Sequence, residues 1–470
     1  MHLHLYYKQI HQPTMLKNLK LLVILLLFTI TIKAQIVSGP MLGQMETSTA
    51  QIWVEVKPNT YLDCVYWKQG GERNIKKALL VTDESVGFKT LHFTAINLDA
   101  ATTYNYQLSY NNKLINIRKI DGTFTTKPNW AYRTTIPDVS FLTGSCTYIN
   151  DPTVDRVYTD MQKLDKQAKP YGGDTSIFTT MAKTPADFML WLGDNWYTRE
   201  VDYTSEWGLN NRPSKERAKP FFQPFLKAMS HYAIWDDHDF GMNDCDASYI
   251  LAPESRNAFK RFWANPSYGN GVRGIYTKLN YADADFFLLD DRTFRSNDNM
   301  ADSINGEPNP NKQMFGFQQM EWLKNQLLGS SANFKFIVTG SQVLNQYSPY
   351  DCFKHFPAEY LEFFEFLKIE KIKGIVFLTG DRHHTEVIKT ERQGTYPLYD
   401  VTVSPLTSGT HKFGGPEKNN PARVIGIDEK QNFAKVTITG PVNDRKLTFN
   451  FMGINGESLG TWSVTSGELK

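Results

Sequence analysis

Tyr232-Ala-Ile-Trp235-Asp-Asp-His-Asp-Phe-Gly-Met-Asn243-Asp244 carries the densest chemistry in this chain: a short apolar run empties into four consecutive ionisable residues, Asp236 to Asp239. Four such groups cannot be buried bare, because each uncompensated charge costs several kcal/mol. They must face water, pair with opposite charge, or hold cations. The apolar run before them and Phe240-Gly241 after them argue against a solvated face.

The same arrangement recurs on both sides. Residues 139–143 end in Gly144-Ser-Cys146, and residues 186–192 end in Gly193-Asp194. Residues 286–289 run into Asp290-Asp291-Arg292, 334–339 into Gly340-Ser-Gln342, and 374–378 into Thr379-Gly380-Asp381. Helix-like segments lie between them: 214–229 with Ser214 as cap, 316–328, and 358–371. Buried parallel strands read as continuous apolar runs, and ligands collect at their carboxyl ends. The fold class expected is therefore α/β. Three later β-patterned segments, 433–439, 446–451 and 458–464, are expected to add antiparallel strands to this layer.

Residues 36–127 alternate differently. Short β-type runs at 51–56, 62–67, 91–96 and 104–110 are separated by turns at intervals close to a sandwich repeat. Leu98-Asp-Ala-Ala-Thr-Thr-Tyr104 resembles the corner of a fibronectin type III domain, and 123–128 its last strand and exit. No cluster of His, Asp or Glu falls here, so a packing or spacer role is expected.

The 470 residues accommodate a small module and a large one, with 41% apolar residues for a core. A net charge of +2 and no long basic block give no nucleic-acid-binding surface. Lys17 and Lys20 precede an apolar run at 21–32, followed by Lys33-Ala34-Gln35, the pattern of a secretory signal starting near Met15. The run is too short to span about 30 Å of hydrocarbon as a stable anchor. An exported protein, periplasmic or secreted, is expected. Its four cysteines then allow a disulfide, with Cys245 and Cys352 as one conceivable pair.

Gly193-Asp-Asn-Trp-Tyr197 places a carboxylate at a strand end and a phenol three residues on. A carboxylate there can bridge two metals, while phenolate and thiolate suit a trivalent ion such as iron(III). Gly380-Asp381-Arg382-His383 adds an imidazole, the commonest metal-ligand side chain.

Taken together, Gly144-Ser-Cys146, Gly193-Asp-x-x-Tyr197, Trp235-Asp-Asp-His-Asp-Phe-Gly-x-Asn-Asp244 and Leu378-Thr-Gly-Asp-Arg-His383 resemble the alkaline phosphatase D family of metallophosphoesterases. The likeness extends through 287–295 and 339–342. The superfamily's opening Asp-x-His is missing, and Gly-Ser-Cys146 stands in its place. The resemblance implies an αββα metallophosphoesterase sandwich at 136–467 and a fibronectin type III-like sandwich at 35–128, while the N-terminal pattern gives the expected signal at 1–34. The resemblance also implies iron(III) with one or more calcium ions, and a phosphatase or phosphodiesterase acting as a monomer on a small phosphate ester.

The working assignment has Asp194 bridging two metals. Cys146, Tyr197 and His383 complete the iron side, and Asp237 and Asp381 serve the second metal. A metal-bound hydroxide attacks phosphorus. His238 and Arg382 act in catalysis, and Arg292, Arg295 and Arg382 clamp phosphate, since guanidinium matches phosphate in bidentate fashion. Rival readings are a glycan-binding module with a degenerate hydrolase domain, and a metallohydrolase of another ester class. Substrate choice is assigned to the long loops 165–184, 297–312 and 410–420.

Overall fold

In the computed structural model, residues 35–71, 74–110, 121–151 and 171–470 are described. The expected signal segment and the first part of the 165–184 loop lie outside the described residues. Eight strands come first. They are β1 (Ile36–Met45), β2 (Ala50–Val56), β3 (Leu62–Lys68) and β4 (Lys76–Lys77), then β5 (Leu79–Ser85), β6 (Phe88–Ala95), β7 (Thr103–Tyr110) and β8 (Gly122–Thr125). The next group is β9 (Val139–Gly144), β10 (Phe188–Leu192), β11 (Ser230–Ile234), β12 (Thr277–Tyr281) and β13 (Ala284–Leu288). A small hairpin, β14 (Ser303–Ile304) and β15 (Glu307–Pro308), precedes β16 (Phe334–Val338) and β17 (Ile375–Thr379). The chain closes with β18 (Thr385–Thr390), β19 (Leu398–Thr402), β20 (Arg423–Ile427), β21 (Asn432–Thr439), β22 (Lys446–Gly453) and β23 (Ser458–Thr465).

Two large sheets carry the architecture, a mixed α/β fold. One runs β23-β22-β21-β9-β10-β11-β1-β2-β6-β5, the other β12-β13-β16-β17-β19-β18-β20. All six apolar runs read from the sequence are strands. β9, β10 and β11 pair in parallel, as do β13, β16 and β17. Aromatic rings join the two sheets. Phe141 of β9 stacks on Phe188 at 5.1 Å and meets Phe286 and Phe336 edge-on at 5.2 and 5.7 Å. Such pairs add roughly 0.5–1.5 kcal/mol each beyond the area they bury. β21 lies antiparallel to β9, with β22 and β23 outside it, so the C-terminal strands extend the sheet that holds β9 to β11.

The N-terminal strands enclose their own core, with Ile52, Val54, Tyr66, Phe93 and Tyr106 buried together. The Tyr104 hydroxyl accepts from the Asp99 amide at 2.8 Å, the bond of a tyrosine corner. This region is nonetheless hydrogen-bonded to the rest: β1 runs parallel to β11, and the Met45 amide donates to the Tyr232 hydroxyl at 3.0 Å. Trp53 Nε1 donates to the Arg261 carbonyl at 2.7 Å. A spacer would not need such contacts.

Two expectations are corrected. Residues 214–229 are not one helix capped by Ser214. The chain forms Glu206–Arg217, capped by Ser205, and a separate Phe222–Ala228. Pro220 cannot continue a helix, and Ser214 turns its hydroxyl to Glu55 instead. Cys245 and Cys352 are both buried free thiols, not a disulfide. Among the described residues, no helix is long and apolar enough to cross a membrane.

Candidate metal centre

Four strand ends converge. β9 delivers Cys146, β10 delivers Asp194 and Tyr197, β11 runs into the short helix Asp237–Phe240, and β17 delivers Asp381 and His383. Cys146, Asp194, Asp381 and His383 all have left-handed backbones, with φ of 61°, 52°, 67° and 56°. Non-glycine residues rarely adopt this region, and such positions cluster at functional sites. Gly193 is needed beside them: its φ is 87°, and a Cβ there would come within 2.7 Å of the Asp236 Cβ.

Two groups of ligand atoms result. Donor atoms of Cys146, Asp194 and His383 lie within 4.8 Å of one another, as do those of Asp194, Asp237 and His238. Asp194 belongs to both. The Tyr197 hydroxyl donates to Asp194 Oδ2 at 2.8 Å and lies 3.1 Å from His383 Nε2. On the far side of that imidazole, Nδ1 is 2.7 Å from the Gly409 carbonyl. A carbonyl can only accept, so this contact assigns the proton to Nδ1 and leaves Nε2 free toward Tyr197. The Ser408 hydroxyl and the Tyr171 hydroxyl also lie 3.3 and 3.2 Å from Nδ1, and the His411 ring stacks on His383 at 4.6 Å.

Burial and mutual repulsion suppress the ionisation of most acids here. Burial, then Asp237, Cys146 and further carboxylates, hold the Asp194 carboxyl well above its ordinary range. Burial pushes Asp381 up to about 7, with Asp351 adding repulsion. The Cys146 thiol is pushed up to about 12 by burial first and Asp381 second. Burial lowers His383 to about 3, assisted by His411. Asp237 is the exception: burial would raise it, but His238, Arg292 and the Asp244 amide at 2.7 Å hold it below its usual value. Asp194 Oδ1 and His238 Nδ1 are buried without a hydrogen-bond partner. Open donor atoms amid crowded acidic groups fit a cation site.

The dense run around Asp236 divides its labour. Asp239 accepts from the Asn195 amide at 2.9 Å and the Asp236 amide at 3.0 Å, closing a capping box. It therefore holds the β10 and β11 ends together. His238 stands with Asp194 and Asp237, its ring 4.1 Å from that of Tyr197. Asp381 lies outside both groups of donor atoms.

The three arginines expected to clamp phosphate are each paired with carboxylates. Arg292 is wholly buried and donates to Asp236 and Asp351 at 2.7 Å each. Arg295 pairs with Asp298 and Asp351 at 2.8 Å. Arg382 binds both oxygens of Glu417 and Gln342 as well. Buried guanidiniums need such partners, and the carboxylates occupy part of their donor set, Nε and Nη1 of Arg295 being buried without a hydrogen-bond partner.

Sequence reasoning passed over residues 404–409, which follow β19 and supply Ser404, Ser408 and Gly409 to the site, while His411 falls at the start of the loop 410–420 to which substrate choice was assigned. The signal was a seventh strand end, 398–403 into Ser404-Pro405, without an acid, cysteine or histidine at its mouth.

With this geometry in place, the comparison with known families is decisive. The family described as PhoD-like phosphatase matches residues 162–443. The chain belongs to the PhoD-like phosphatase family. Alkaline phosphatase D of Bacillus subtilis (strain 168) is 23% identical over 341 residues, covering 63% of this chain and 53% of that protein. The chain thus spans about half the length of this curated relative. A solved structure of PhoD superposes with a TM-score of 0.68 at 18% identity, covering 92% of this chain and 89% of that one. At that identity the PhoD likeness speaks for the fold.

Proposed function

We propose that this chain is an exported, metal-dependent phosphoric ester hydrolase of the alkaline phosphatase D type. One observation carries the reading: Asp194 is common to two groups of ligand-competent atoms, and one of its oxygens is buried and open. Cys146, Tyr197 and His383 would hold iron(III), where thiolate, phenolate and imidazole suit a borderline-to-hard ion. Asp237, with His238 and Asp381 nearby, would hold a calcium-type cation. When bound, these cations supply a nucleophile at neutral pH and neutralise charge on the phosphoryl group.

The chain's own residues do the rest. Tyr197 and the Gly409 carbonyl fix both faces of His383. Asp239 locks the β10 and β11 ends, and Arg292 orients the Asp236 side of the centre. His238, beside Asp194 and Asp237 and with an unpartnered nitrogen, would serve as a ligand or donate to a departing oxygen. We further infer a division into a fibronectin type III-like sandwich at 35–128 and a metallophosphoesterase sandwich at 136–467, with a monomer acting on a small phosphate ester.

The test is direct. Purified protein is assayed on p-nitrophenyl phosphate, bis-p-nitrophenyl phosphate and p-nitrophenyl sulfate, alongside metal analysis. Hydrolysis of a phosphate ester by protein carrying bound metal is expected. Turnover of the sulfate alone, or phosphatase activity indifferent to metal removal, sinks the reading.

A further inference from the structure

Resting on that metal reading, we propose that Ser404 is a positioning residue that sets the electron donation of the Cys146 thiolate to its metal. Ser404 Oγ donates to Cys146 Sγ at 3.1 Å and accepts the His383 amide at 3.0 Å. One hydroxyl therefore ties together residues from the ends of β9 and β17, which belong to different sheets.

A process of elimination strengthens the point. Three hydroxyls are within reach of this sulfur: Ser145, Tyr197 and Ser404. The Ser145 proton goes to the Val403 carbonyl at 2.9 Å, so Ser145 only accepts from the protonated thiol. Tyr197, as a phenolate ligand, has no proton to give. Ser404 carries one proton, and the His383 amide takes one of its lone pairs, leaving that proton directed at sulfur. Cys146 is fully buried, so water does not substitute. A thiolate that accepts a hydrogen bond donates less charge, which is how such bonds raise the potential of sulfur-ligated iron.

The experiment uses iron-loaded enzyme. Charge-transfer absorption is recorded with the midpoint potential for wild type, S404A, S404T and C146S, the last identifying the sulfur band. In S404A the sulfur band is expected to move to longer wavelength, and the potential to fall. S404T, which keeps the hydroxyl, is expected to restore both. kcat/KM of S404A should drop about 10-fold, the lower end for lost outer-shell partners. If S404A does not fold, S404G replaces it, because it equally lacks the hydroxyl and predicts a shift in the same direction. An S404A or S404G protein with full iron content and an unmoved band and potential overturns the proposal. A wild-type protein without a sulfur band overturns the metal reading and the Ser404 role with it. A band present in wild type and unmoved in the variants removes Ser404 alone.

Discussion

Arg292 donates from Nε to Asp236 at 2.7 Å, and neither side chain reaches solvent. The pair stands where the sequence suggests a phosphate clamp, and its partner Asp236 immediately precedes the ligand group. Removing one member of a buried pair strands the other charge, typically at about 3–5 kcal/mol. R292M is therefore expected to lose that much stability in urea denaturation. At a temperature where the variant is folded, kcat should fall more than KM rises. A clamp would show the reverse.

Asp194→Asn tests the bridging position. The amide keeps the volume but loses the charge shared between two ligand groups. A fall in kcat/KM on the order of 10^3 or more, as for other units that act together, should accompany loss of bound metal by elemental analysis. Full metal content with full activity would refute the placement.

Phe141→Ala tests the seam between the sheets. Phe141 is fully buried against Phe188, Phe286 and Phe336. Truncating such a ring costs about 3–5 kcal/mol, and the variant's denaturation midpoint should fall accordingly.

Glu216 gives a pH signature away from the candidate metal centre. Burial pushes its carboxyl from an ordinary 4.5 up to about 8, against the pull of Arg199 and Arg212, and neither oxygen has a hydrogen bond. The folded chain holds a proton that the unfolded chain releases. Its stabilising contribution is thus fully present below the ordinary value and lost as pH rises toward about 8. E216Q should overtake wild type in melting temperature progressively between pH 5 and 8. Parallel melting curves across that range would contradict this.

Much of this was legible in one dimension because buried parallel strands announce themselves. Residues 188–192 are apolar throughout, 232–235 form a shorter apolar run, and the chemistry sits just beyond each. Cys146, Asp194 and His383 could be named from those junctions. What stayed hidden depends on pairing partners distant in sequence. Arg292 looks like a free cation until Asp236 and Asp351 are brought against it. Ser404, Ser408 and Gly409 act through a hydroxyl or a carbonyl, groups too common to stand out in a string. The continuity of β1 with β11 rests on a register that no local pattern encodes.

The position of β9 has a consequence in time. The strand that delivers Cys146 has β10 on one side and β21 on the other, pairing residues 139–143 with 434–438. A nascent chain still short of that last partner has one edge of β9 open. It also lacks Ser404 until that residue emerges late. Closing so long a loop is slow, since the chain must search before distant pairing rewards it. The centre is thus enclosed only once residues 404 and 434–438 have been made, and a polypeptide interrupted before β21 would carry Cys146, Asp194 and His383 without that enclosure.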